Sequence, residues 1–141
     1  MNHSWLIWAL LSAVFAGATA VLAKFGVADV NSNVATAIRT SVILIFAWAI
    51  AAVTARPLAL GELSSRTWLF LMLSGLATGL SWLCYFRALQ LGPASQVAPI
   101  DKLSVVFVLL FAALFLGEPL TIKSVIGGLL IVSGALVLGL K

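Results

Sequence analysis

The sequence predicts an all-α integral membrane bundle of about five transmembrane helices. Three observations predict it. Of the 141 residues, 63% are hydrophobic and only 9% charged. The mean hydropathy is +1.21. Five apolar runs, each near the roughly 20 residues needed to cross a hydrocarbon core about 30 Å thick, fill almost the whole chain. A soluble domain of this length has no core large enough to hide so much apolar surface, so lipid is the solvent for most of it. Backbone in lipid must satisfy its own polar groups, which makes such runs helices; barrel strands would instead alternate over about ten residues.

The spans are expected near Trp5 to Val27 (5-27), Val34 to Thr54 (34-54), Thr67 to Leu89 (67-89), Ala94 to Leu116 (94-116) and Thr121 to Leu140 (121-140), all within one transmembrane domain covering 1-141. The first run competes with a signal peptide, because Ala18-Thr19-Ala20 resembles a small-x-small cleavage site. Met1-Asn2-His3-Ser4 carries no Lys or Arg, and the apolar stretch continues through Val21-Leu22-Ala23, so a retained helix is expected. The joints carry turn chemistry: Asp29-Val30-Asn31-Ser32-Asn33, Arg56-Pro57 through Ser65-Arg66, Gly92-Pro93, and Gly117-Glu118-Pro119 ahead of Thr121, a candidate helix cap. Small residues recur every fourth position at Ser12, Ala16 and Ala20, at Gly75 and Gly79, and at Ser124 and Gly128, a spacing that lets helix backbones approach closely. Gly and Ala are also simply frequent in membrane helices, so no single pair marks an interface.

Charge separates function classes. The net charge of +4 comes from eight Lys and Arg scattered singly between apolar runs, with no basic patch, so nucleic acid is not an expected partner. Cys84 is the one cysteine and His3 the one histidine, which leaves no disulfide framework, metal spacing or nucleophile–base pair; no enzyme activity and no cofactor are expected.

The charges within the apolar runs carry the functional reading. Lys24 and Arg87 lie within roughly a turn of their helix ends, where a long cation snorkels to the interface. Arg39 lies about five residues into the second span and Asp101 with Lys102 about seven into the fourth. Asp101 is then roughly 10 Å past its helix start, too deep for a short carboxylate to snorkel, and needs an internal partner or water. Helix neighbours point about 100° apart, which makes Arg39 a better expected partner for Asp101 than Lys102. Pro99 cannot donate an amide, so this turn is expected to be irregular and to expose carbonyls toward a cavity. Such a group marks a solute or coupling-ion site, or an ion pair that only fixes helix register. Trp82 and Tyr85 on the third span are pocket-lining or belt candidates, whereas Trp5, Trp8 and Trp68 near span starts fit an interfacial belt.

An odd number of spans places the termini on opposite sides. Arg56, Arg66 and Lys123 fall on the side of the N-terminus; Lys24, Arg87 and Lys141 fall on the other, joined by Arg39 and Lys102 if these reach it. So weak a bias is compatible with insertion in both orientations.

The stretch from Gly79 through Trp82, Tyr85-Phe86-Arg87-Ala88-Leu89 and Gly92-Pro93-Ala94-Ser95, closed by Leu116-Gly117-Glu118-Pro119-Leu120-Thr121, resembles the EamA family of the drug/metabolite transporter superfamily. The resemblance covers essentially the whole chain as one five-helix unit, whereas common members carry two in tandem. It implies a secondary-active exporter of a small metabolite or amino-acid-like solute, in a multi-pass cell membrane setting such as a bacterial inner membrane. The lipid bilayer and a small-molecule solute are the implied partners. Five-helix units in tandem are automatically inverted, so a lone unit implies a homodimer, antiparallel in orientation. Many members place a proline midway along the fourth helix, near Val105 here; this chain has Pro99 instead. Gly75, Gly79, Pro99, Gly117 and Glu118 are the structural candidates, with Glu118 expected to act in a turn or partner contact. Small four-helix multidrug exporters rely on an acidic residue in their first helix, and none occurs from Trp5 to Val27. A non-transporting scaffold or subunit of a heteromeric complex is the alternative from a different class.

Overall fold

Five helical stretches, each long and apolar enough to cross a bilayer, run from Ser4–Gly26, Ser32–Thr54, Ser65–Leu91, Ala94–Leu116 and Ile122–Gly139. They come from a computed structural model that describes residues 4–55, 61 and 63–139. No strand occurs among the described residues, so the all-α class read from hydropathy holds. Met1–His3, the Arg56-Pro57 joint, Leu140 and Lys141 lie outside the described residues.

The helix starts are written in short polar side chains. Before α1 (Ser4–Gly26) is followed by α2 (Ser32–Thr54), Asn31 accepts the Asn33 amide on its Oδ1 at 2.9 Å. The Ser64 hydroxyl accepts the Thr67 amide at 3.1 Å ahead of α3 (Ser65–Leu91). Thr121 Oγ1 accepts the Ser124 amide at 3.1 Å at the start of the last helix. Each cap satisfies one of the orphan amides that open a helix. Hydroxyls inside the spans bond back four residues to their own helix, as Thr36 does to the Ser32 carbonyl and Ser133 to that of Leu129, both at 2.8 Å. That keeps them satisfied where no water is available.

Among the described residues, the fourth span alone is broken. It comprises α4 (Ala94–Asp101), α5 (Ser104–Phe111) and a π-helical segment, Ala112–Leu116; α6 (Ile122–Gly139) follows. Pro99 has no amide for the Ser95 carbonyl, and its ring crowds the preceding turn. The chain responds by tightening: the amides of Lys102, Leu103, Val105 and Val106 reach back three residues, to Pro99, Ile100, Lys102 and Leu103, at 3.0–3.1 Å. The span continues in the same direction because Lys102 and Leu103 keep right-handed helical dihedrals. At its far end the π segment stops at Gly117, whose φ of 68° is left-handed and suits a residue without Cβ. The Glu118 amide then closes the turn on the Ala112 carbonyl at 3.2 Å.

The chain forms two compact units, Met1–Phe25 with Leu91–Lys141, and Gly26–Gln90. In the first, Ser124, Gly128, Ala135 and Gly139 recur along one half-buried or buried face of α6. A Cβ at Gly128 would stand 3.2 Å from Leu109 Cδ1, and one at Gly139 would overlap the Ile100 side chain. Small residues thus admit the fourth span against α6, which matters because lipid supplies little hydrophobic drive for helix association. Around Gly75 and Gly79, by contrast, a Cβ would meet no heavy atom within 4 Å among the described residues. Among the described residues, close approach is seen at Gly128 and Gly139. Lys24, in the last turn of α1, donates from Nζ to the Gly92 carbonyl at 2.9 Å.

In the second unit α2 and α3 run antiparallel. Gln90 meets the segment leading into α2, and Trp82, farther back along α3, meets Arg39, farther along α2. The half-buried or buried positions of α2 include Ser32, Ala35, Thr36, Arg39, Ile43, Ala51 and Ala52; those of α3 include Gly79, Trp82, Tyr85, Phe86 and Leu89. Both follow helical spacing, so each helix turns one stripe inward and leaves its other faces to lipid. Outward side chains are the bulky apolar ones expected there, such as Phe25 at 79% and Phe115 at 80% exposure.

Candidate functional site

Among the described residues, two charged groups lie more than a turn from either end of their spans and carry the functional reading, one in each unit. The first is built on Arg39. Its guanidinium carbon lies 4.2 Å from the centroid of the Trp82 ring and 5.5 Å from that of Phe86. Trp82 and Phe86 stand one turn apart on α3, so their rings present two successive steps of one face to a single cation. Cation–π attraction of this kind is worth about 0.5–1 kcal/mol in water and about 2 or more when desolvated. A guanidinium that stacks face-on keeps its edge N–H donors available for a further partner. Arg39 makes no salt bridge and no hydrogen bond among the described residues of its unit. Tyr85 sits half-buried on the same stripe as Trp82. Arg39 is about seven residues past the start of α2, or roughly 10 Å along its axis.

Below this platform the α3 end is tied down. Gln90 Nε2 donates to the carbonyls of Val27 at 3.1 Å and Val30 at 2.6 Å, and Gln90 Oε1 accepts from Arg87 Nη1 at 3.1 Å. One amide side chain therefore fixes the turn leading into α2, above fully buried Val27 and Leu89. Arg87, expected only to snorkel, orients that amide. Sequence reasoning missed Gln90 and Phe86. The four-residue step from Trp82 to Phe86 was the available signal for the second ring, and Gln90 carried none beyond being polar at a helix end.

The second group is Asp101 with Lys102. Lys102 Nζ lies 3.3 Å from Asp101 Oδ2, an ion pair between exposed side chains. Neighbours that leave a helix about 100° apart do meet here, because the lysine stem is long enough to fold back. Pro99 and Lys102 border an open groove of about 390 Å³, with Gly134 and Ala135 of α6 forming its opposite wall. A second, smaller hollow of about 170 Å³ between α5 and α6 is almost wholly apolar, with Leu109, Ser124 and Gly128 on its walls. The groove is therefore the one with a charge at its rim. Glu118 stays at the Gly117 turn, where its amide rather than its carboxylate has the described bond. No group of three or more His, Cys, Asp or Glu capable of holding a metal occurs among the described residues.

The profile of the EamA-like transporter family matches residues 3–140. The chain belongs to the EamA-like transporter family. A relative from Sinorhizobium sp., described as an uncharacterized transporter in the cobO 3′ region, is 58% identical over 138 residues, spanning 98% of this chain and 98% of its own length. No solved structure matches. The family match thus spans both compact units, and five helices long and apolar enough to cross a bilayer, in a transporter family, make this EamA-like chain a multi-pass membrane protein of the transport class.

Proposed function

We propose that this EamA-like protein is a secondary-active exporter of a small metabolite or amino-acid-like solute in the cell membrane, acting as a homodimer. The observation that carries the reading is the family match over residues 3–140, taken with a cation held on two aromatic rings inside a membrane span. Ionisable groups at that depth are costly and mark solute or ion pathways. In this reading Arg39, Trp82 and Tyr85 line the solute path of their unit. Asp101 and Lys102 act as the coupling-ion element of theirs, next to a helix break of the kind that exposes carbonyls in transporters. A single five-helix unit completes a carrier by pairing with an inverted second copy, and the relative's equal length is in keeping with one unit per chain.

The test is counterflow into proteoliposomes made with the purified chain alone and loaded with a pool of small metabolites. Saturable exchange of at least one solute, altered in rate or pH dependence by Asp101→Asn, is the expected result. Uptake equal to that of empty liposomes for every solute, from protein that is folded and dimeric, would overturn it.

A further inference from the structure

Arg39 is a cation set against two aromatic rings, with no salt bridge among the described residues of its unit. The guanidinium carbon lies 4.2 Å from the Trp82 ring centroid and 5.5 Å from that of Phe86. Of the hydroxyls within one turn on α2, Thr36 donates to the Ser32 carbonyl and Thr40 to the Thr36 carbonyl, each at 2.8 Å, while Tyr85 on α3 interacts electrostatically with Arg39. Asp29, the carboxylate of this unit's described residues, precedes α2 and lies about ten residues, or roughly 15 Å of helix rise, from Arg39. A desolvated guanidinium stacked on aromatic rings gains most from a planar, bidentate anion laid against its N–H edge.

On this basis we infer that Arg39, stacked on Trp82 and Phe86, is an anion-recognition site that selects solutes bearing a carboxylate. The inference rests on the transporter reading and narrows its substrate class. The rings have two effects. They hold the guanidinium in one orientation, and they keep it within the span instead of letting it snorkel outward. The carboxylate of an entering solute replaces the water that would otherwise hydrate the N–H edge, and the rest of the solute meets the half-buried face around Gly79 and Tyr85. A lysine offers a point charge without the planar fork, so Arg39→Lys weakens both the stacking and the bidentate fit.

The experiment separates binding from transport. Purified protein in phosphatidylcholine nanodiscs is titrated with the common amino acids, short 2-oxo acids and dicarboxylates, each beside its amide and beside a phosphate monoester of similar size. At least one carboxylate is expected to bind at least tenfold more tightly than its amide and its phosphate counterpart. Arg39→Gln is expected to erase that preference, and Arg39→Lys to restore only part of it, with melting profiles and dimer elution unchanged. Equal binding of acid and amide, a preference that survives Arg39→Gln, or binding of none of the carboxylates would overturn the inference. So would an Arg39-dependent response to phosphatidylglycerol in the nanodisc and not to the acids, which would assign the site to lipid phosphate. Carboxylate binding that depends on Arg39 without flux in proteoliposomes would sink the transporter reading and leave the anion site standing. Flux of acid and amide alike, insensitive to Arg39, would do the reverse.

Discussion

The guanidinium of Arg39 rests on the indole of Trp82, 4.2 Å from carbon to ring centroid, inside the second and third membrane spans. Trp82→Ala removes the better of the two rings and about 0.5–2 kcal/mol of orientation energy, which predicts carboxylate binding weaker by about two- to thirtyfold. Trp82→Phe keeps a ring and should lose less than half of that free energy. Equal affinities for wild type and Trp82→Ala would show that the stacking has no part in recognition.

Gln90 closes the same unit from its end, bonding the carbonyls of Val27 and Val30. Gln90→Leu leaves two acceptors without their donor and should cost about 1–3 kcal/mol. Faster amide exchange across Val30–Val34 and a lower detergent melting temperature are the expected signs. Unchanged exchange there would mean that water replaces the amide at no cost.

Glycines of equal rank in the sequence are predicted to differ in tolerance. Gly128 faces Leu109 at a separation a Cβ would crowd, while Gly75 has open surroundings. Gly128→Leu should destabilise by about 1–3 kcal/mol through overpacking, and Gly75→Ala should be neutral or mildly stabilising. Thermal unfolding in detergent checks both; similar losses at the two sites would contradict the packing described.

Pro99 causes the tightened turn that carries Asp101 and Lys102. Pro99→Ala returns an amide to the Ser95 carbonyl and lets regular four-residue bonding extend through Lys102. Slower amide exchange from Asp101 to Val106, with reduced flux, is expected. If both stay at wild-type values, the break serves neither the helix nor the path.

The spans were legible because each bilayer crossing demands its own uninterrupted apolar run, so hydropathy alone separated all five. Caps such as Thr121 were legible for a similar local reason: an orphan amide and a hydroxyl a few residues away in sequence. Contacts between helices were not. Nothing local distinguishes Gly128 from Gly75, since the difference lies in which neighbour, Leu109 or none, comes opposite. The Asp101–Lys102 pair was discounted from helix azimuth alone, which ignores the reach of a lysine stem. Phe86 passed as part of a family motif, and its contact with Arg39 depends on the register between α2 and α3, which no local pattern encodes.

The weak charge bias predicts that the chain inserts both ways. With Cys84 replaced by Ala, a single cysteine introduced in the Gly117–Thr121 turn should be labelled by an impermeant maleimide from each side of the membrane in comparable amounts. Labelling from one side only would exclude the antiparallel homodimer.

The central claim is that this chain alone moves a solute by way of Arg39. Counterflow by wild type and Arg39→Gln, reconstituted side by side as folded dimers, tests it most directly. Saturable exchange of a carboxylate solute by wild type, with KM raised at least tenfold in Arg39→Gln, is the predicted result. Exchange with the same KM in both proteins, or exchange by neither, would contradict it.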